Sequence, residues 1–241
     1  MSDVPARNKA TVPIVVALVA ALIAGVMLLA PALAESESPV ADVNRAGGRP
    51  PVDPENDPLA DLVRREAEDP TALGDVDAPV VMINYSEFQC PFCGKFARDT
   101  EPELVERYVE DGTLRIEWRH FPYLGPESQT AAHAGYAAAE QDRFWEFHDA
   151  MYADQQPPNS GRLTEDYLVG VAEDIGLDPD RFRQDMTSAA AEKAVARDFQ
   201  EGRSIGITGT PAFLVNGQPI MGAQPTEVFV EAIDRAAEAA R

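Results

Sequence analysis

The pattern of apolar and polar positions divides the chain into segments of different character. Pro79-Val80-Val81-Met82-Ile83-Asn84-Tyr85 is a short, nearly continuous apolar run rich in β-branched residues. Such a run predicts a central strand buried on both faces. Pro91 follows closely and suits the first turn of a helix, where a missing N–H is no loss. Thr100-Glu101-Pro102-Glu103 has the form of a capping box, so this first helix is expected to break near Thr100. Leu104, Val105 and Tyr108 then give one apolar face up to Gly112. Over residues 113–121 the pattern alternates, with Leu114, Ile116 and Trp118 on one side and Arg115, Glu117 and Arg119 on the other. That alternation predicts a half-buried strand. Strand, helix, strand makes a βαβ unit with a right-handed crossover.

From Pro126 to about Gly206 the period becomes helical. Ala131–Ala139 is alanine-rich, Phe144, Phe147 and Met151 share a face, and Tyr167, Val171 and Ile175 share another. Asp178-Pro179 opens a further helix, expected to run on through Met186 and Ala194. A strand follows at Thr210-Pro211-Ala212-Phe213-Leu214-Val215, then the hairpin signal Asn216-Gly217 and a return strand at residues 219–222. A last helix carries Phe229, Ile233, Ala236 and Ala240 on its apolar face. The order βαβ, helical block, ββα is that of an α/β thioredoxin-like fold with a helical insertion at about residues 126–206, within a domain spanning 71–241.

The N-terminal third differs. Residues 13–34 carry no charge, with Arg7 and Lys9 before them and Glu35 and Glu37 after. Positive charge marks the cytoplasmic side, so the chain beyond residue 34 is expected outside. The run is long enough to anchor in a bilayer. It also ends in Ala32-Leu33-Ala34, which suits signal-peptide cleavage. Residues 1–34 are therefore a signal peptide or an N-terminal membrane anchor, and the compartment beyond is oxidising. Residues 35–70 are rich in proline, glycine and acid, and read as a flexible linker with a short helix at Leu59–Ala67.

Composition narrows the partners. The net charge is −21, from 20 basic and 41 acidic residues. Only Asp3, Arg7 and Lys9 are charged within residues 1–34, so the acidity belongs to the remainder. Such a chain repels phosphate backbones, which argues against nucleic-acid binding. The acidity fits either an ordinary solvated surface or a surface suited to high salt.

The chain has two cysteines, Cys90 and Cys93, in the run Cys90-Pro91-Phe92-Cys93. They fall where the central strand gives way to a helix. Disulfide exchange needs one thiolate that attacks and a second thiol that resolves, and this spacing lets two sulfurs meet. Free N–H groups and the positive end of the helix dipole stabilise a thiolate at Cys90. Cys93, one turn further in, is expected to be shielded and to resolve the mixed disulfide. The same spacing also occurs in zinc sites. No second Cys-x2-Cys exists, however, and His120, His133 and His148 have no finger spacing. A structural disulfide in a binding module is a further alternative. His120, His148 and the cluster Phe144, Trp145, Phe147 and Tyr152 read as core.

Tyr85-Ser86-Glu87-Phe88-Gln89-Cys90-Pro91-Phe92-Cys93-Gly94-Lys95-Phe96 and Gly209-Thr210-Pro211-Ala212-Phe213 together resemble the DsbA-like thioredoxin-fold proteins of bacterial envelopes. The resemblance covers about residues 71–241. It implies a thiol:disulfide oxidoreductase in which Cys90 is the nucleophile and Cys93 the resolving thiol. Pro211 would be cis and lie against the pair, and Thr210 would offer its backbone to an extended substrate. Pro91, Phe92 and Glu87 would support the site. The redox group would be the Cys90–Cys93 disulfide itself, with no other cofactor and no metal. Partners would be exported proteins with free thiols and a redox protein, in the membrane or outside it, that recycles the dithiol. Two departures stand out. The buried acid that the family often has six positions before the first cysteine is here Asn84, with Glu87 as a nearer acid. The histidine of strongly oxidising members is here Phe92, so a milder oxidant is expected. A reductant or isomerase of the same fold, or an anchored chaperone-like module, is the alternative.

Overall fold

The computed structural model describes residues 59–241. The expected export segment and residues 35–58 of the expected linker lie outside the described residues. Among the described residues no helix is long and apolar enough to cross a membrane.

Five strands form one mixed sheet: β1 (Ala72–Leu73), β2 (Val80–Ser86), β3 (Leu114–His120), β4 (Ala212–Val215) and β5 (Gln218–Met221). Their spatial order is β1-β3-β2-β4-β5. β2 and β3 are parallel, with Val80 opposite Leu114 and Ser86 opposite His120. β4 runs antiparallel to β2, with Tyr85 opposite Ala212. β5 and β1 close the two edges, antiparallel to β4 and β3 respectively. The turn between β4 and β5 is Asn216-Gly217, both at positive φ, as a two-residue hairpin of this type requires.

β2 is the buried central strand that its composition predicts. Val80 and Met82 face a core shared with Phe96, Phe213, Phe229 and Ile233. Ile83 and Tyr85 face the opposite core, with Phe121, Ala212 and Leu214. The parallel β2–β3 pair is bridged by α1 (Pro91–Asp99), α2 (Glu101–Leu104) and a π-helical turn at Val105–Val109. The expected capping box at Thr100 does not form. Thr100 keeps helical φ and ψ, and its side chain meets that of Thr226 instead. The helix does break at Thr100, as expected, and resumes at Glu101 with Pro102 in its first turn but without a side-chain cap.

The helical block comprises α3 (Pro126–Ala139), α4 (Phe144–Ala153), α5 (Glu165–Asp174), α6 (Pro179–Met186) and α7 (Ala189–Ser204). The single helix expected from Pro179 through Ala194 is two. Thr187 ends α6, and the Ser188 hydroxyl accepts the Ala191 N–H at 3.1 Å to start α7. The last helix, α8 (Thr226–Ala239), packs Phe229 and Ile233 onto the sheet.

Two further expectations are corrected. β3 is buried along its whole length, not on one face. Its charged face is covered by the segment read as the end of the linker. Glu117 accepts the backbone N–H groups of Arg64 and Arg65, at 3.0 and 2.9 Å, and pairs with Arg119 at 2.7 Å. Arg64 in turn meets Asp198 at 2.7 Å and Glu201 at 3.0 Å, both on α7. Leu62 and Val63 pack beside Ile83 and Tyr85. Residues 59–70 therefore belong to the folded domain, held by charge pairing that an apolar-periodicity reading does not register. The helix expected at Leu59–Ala67 is a single 3₁₀ turn, Ala60–Leu62.

Candidate active site

β2 delivers the chain to the site and Phe88 fixes the turn that follows. The Phe88 ring is buried between Trp118, Phe147 and Tyr152, stacking on Trp118 at 5.4 Å. The turn is closed by the Cys90 N–H donating to the Glu87 carbonyl at 3.3 Å. Cys90 is then the N-cap of α1, with extended φ and ψ, and Pro91 occupies the first helical position. This is the arrangement expected from the sequence, and it aims the first free N–H groups of α1 at Cys90.

Both cysteines are thiols. A hydrogen bond from Cys93 is the largest influence on Cys90 and lowers its pKa; burial opposes it. The Thr210 hydroxyl and the backbone N–H groups of Cys93 and Phe92 lower it further, and the thiol is brought down to about 6. At neutral pH Cys90 is therefore a thiolate. Burial pushes Cys93 the other way, well above the usual thiol range, and the adjacent Cys90 adds to that. The two thiols thus differ as a nucleophile and a resolving group should.

Thr210-Pro211 forms the opposite wall. The peptide bond between them is cis. The Cys90 thiol reaches the Thr210 carbonyl at 3.2 Å. The Thr210 side chain is buried, and its hydroxyl faces the two sulfurs and Tyr123. Phe92 projects between the cysteines with 64% of its surface exposed, and Tyr123 is exposed near Gly209. The structure thus brings Cys90, Cys93, Pro91, Phe92, Thr210 and Pro211 together. Glu87 lies one turn before Cys90, buried, with its carboxyl on Ser128. Asn84 is buried further back on β2, its side-chain oxygen without a partner.

Several site residues carry no sequence signal. The Gln155 carboxamide donates to the carbonyls of Phe88 at 3.0 Å and Cys90 at 2.9 Å, clamping the turn from the end of α4. Gly94 makes room for it, since a Cβ there would collide with the Gln155 side chain. The Tyr152 hydroxyl, read only as core, donates to the Glu87 carbonyl at 2.9 Å. Gln89 donates to Ser128 at 2.8 Å, and its oxygen accepts the Asn159 N–H at 2.6 Å. His120 is a core histidine as expected. It accepts from the Trp118 indole at 3.1 Å, and burial brings its pKa down to about 4. His148 is likewise buried, among Trp118, Trp145 and Tyr152. Among the described residues, the one cluster of three metal-capable side chains within mutual reach is Glu101, His148 and Asp149, and it includes neither cysteine.

The thioredoxin family model matches residues 66–235. The probable disulfide bond formation protein D of Bacillus cereus is 31% identical over 150 residues, covering 61% of this chain and 69% of that protein. The Na(+)/H(+) antiporter NhaA 3 of Salinispora tropica is 34% identical over 245 residues, covering 98% of this chain. The chain spans only 34% of the length of that relative, and 26% of NhaA 1 of Salinispora arenicola. Among solved structures, BdbD of Bacillus subtilis superposes with a TM-score of 0.67 at 22% identity, covering 72% of this chain and 95% of that one. The α-DsbA1 of Wolbachia pipientis superposes with the same score at 25% identity, covering 76% and 97%.

Proposed function

Since the chain belongs to the thioredoxin family, we propose that it is a thiol–disulfide oxidoreductase that acts outside the cytoplasm and oxidises cysteine pairs in exported proteins. The observation that carries the reading is the asymmetry of the pair: Cys90 at the helix start with its pKa brought down to about 6, and Cys93 one turn in, pushed well up. A stabilised thiolate in the reduced form makes the disulfide form the better oxidant. The resemblance to a protein named for disulfide bond formation supports the same direction.

In the oxidising cycle a substrate thiolate attacks Cys90 Sγ of the Cys90–Cys93 disulfide. Cys93 leaves and is protonated, which its raised pKa favours. The second substrate thiol then attacks the mixed disulfide and releases Cys90 as a thiolate. The substrate loses two electrons and two protons and gains one S–S bond. The Thr210 backbone beside Cys90 offers a place for an extended substrate segment, and the exposed Phe92 a surface for apolar side chains. A recycling partner, membrane-bound or not, must then take the two electrons. Residues 13–34 would keep the enzyme at the membrane or be removed on export.

The test is trapping. Cys93→Ala, loaded at Cys90 as its glutathione mixed disulfide, should exchange with reduced exported proteins to give Cys90-linked species and free glutathione, and Cys90→Ser treated in the same way should give none. Absence of Cys90-linked species with Cys93→Ala would overturn the reading. A structural disulfide in a binding module would behave in that way.

A further inference from the structure

Glu87 is a buried acid beside the nucleophile, and among the described residues no cation faces it. It is 3% exposed. Its backbone is pinned by the Cys90 N–H and the Tyr152 hydroxyl, both on its carbonyl. One carboxyl oxygen accepts from Ser128 at the start of α3, and the Leu124 N–H from the β3–α3 loop also stabilises the charge. The other oxygen, Oε1, is buried and has no partner. The ionisable groups that face it are Cys90 on its own segment, Tyr123 on the β3–α3 loop and Tyr152 on α4. None of these can offset a negative charge.

We propose that Glu87 is a redox-linked proton site, taking up a proton when the Cys90–Cys93 disulfide is reduced and releasing it when the disulfide re-forms. This rests on the pair being redox-active. In the disulfide form neither sulfur is charged, so the like charge facing Glu87 is gone, and Ser128 and Leu124 favour the carboxylate against burial. Reduction places a thiolate at Cys90. Two like charges in a buried pocket raise each other's proton affinity, so one proton condenses on the carboxyl. In the dithiol form described here, burial above all, with the Cys90 charge adding to it, brings Glu87 up to about 7.

The balance is complete. A reducing dithiol supplies two electrons that break the Cys90–Cys93 bond, and its own S–S bond forms as it gives up two protons. One proton goes to Cys93 Sγ. The second goes to Glu87 while Cys90 stays a thiolate. An incoming disulfide reverses both. Proton uptake at Glu87 thereby offsets the negative charge that the Cys90 thiolate brings to the buried site.

The experiment is to reduce the full chain with dithiothreitol in weakly buffered solution at pH 7 and count the protons taken up, beside Glu87→Gln and Ser128→Ala. Because the Cys90 charge raises the Glu87 proton affinity only in the reduced form, Glu87→Gln should take up fewer protons per disulfide, by a fraction of one. The thiolate absorbance of Cys90 should titrate at lower pH in Glu87→Gln, because a like charge is gone. Ser128→Ala should move the Glu87-linked step to higher pH. Equal proton uptake and an unmoved Cys90 titration in Glu87→Gln would overturn the proposal. A Cys90–Cys93 pair that dithiothreitol cannot reduce, or that never exchanges, would overturn the underlying function instead.

Discussion

At the scale of single residues the chemistry rests on what surrounds one sulfur. Cys90 takes its low pKa from the Cys93 thiol, the Thr210 hydroxyl and the N–H groups of α1, and not from a cationic side chain. Phe92, in place of a histidine, adds exposed apolar surface and no charge. Alkylation of the reduced protein should therefore rise with pH to half its maximum near 6, well below an ordinary thiol. The sign follows from the direction of the shift. A depressed pKa means the thiolate is favoured in the fold, so its stabilisation is complete above the unfolded value near 9 and is lost as pH falls through about 6. Iodoacetamide kinetics from pH 4 to 9 would check this, and a half-maximum above 8 would contradict it. Cys90, Cys93, Thr210 and Pro211 were legible in the sequence because two short motifs carry them. Ser128, Tyr152 and Gln155 were not, because they reach the site from distant helices as a serine, a tyrosine and a glutamine with no local pattern to mark them.

At the scale of elements, two devices hold the site in place. The first joins α4 to the turn before α1. Gln155 caps the carbonyls of Phe88 and Cys90, and Gly94 leaves the space for it. Gln155→Ala should lower stability by about 1 kcal/mol and slow exchange, since two carbonyls lose their donor. Gly94→Ala displaces the same carboxamide. The double variant should therefore be little worse than either single one, and full additivity in urea melts would contradict the shared cause. The second device is the segment before β1. Arg64 answers Asp198 and Glu201, and the Arg64 and Arg65 N–H groups answer Glu117. Arg64→Ala removes one cation from Asp198, which keeps Arg197 at 3.4 Å, and from Glu201, which keeps Arg119 at 3.2 Å, and should lower stability by about 2 kcal/mol, read as a lower urea midpoint. The strands and most helices were legible because apolar periodicity is a local signal. The Ser188 cap and the burial of Arg115, Glu117 and Arg119 were not. Their charged side chains look solvent-facing until the partners Arg64, Asp198 and Glu201 are brought in by the fold.

At the scale of the whole molecule, the thioredoxin-like layout serves to bring two distant stretches against each other. The sheet pairs β2 with β4, which sets the end of β2 and the start of β4 side by side. Cys90 follows the first, and Thr210-Pro211 precedes the second. The helical block is inserted between β3 and β4 without disturbing that pairing, and contributes Ser128, Tyr152 and Gln155 to the site. The acid excess of the chain, by contrast, lies away from the pair except at Glu87, the acid whose charge is coupled to that of Cys90.

The most direct test of the central claim is the redox equilibrium of the Cys90–Cys93 pair with glutathione, read by mass spectrometry of the alkylated protein. The pair should exchange readily and settle at a potential more oxidising than the roughly −270 mV of thioredoxin. A pair that does not exchange, or one that settles at or below that value, would contradict an oxidising enzyme.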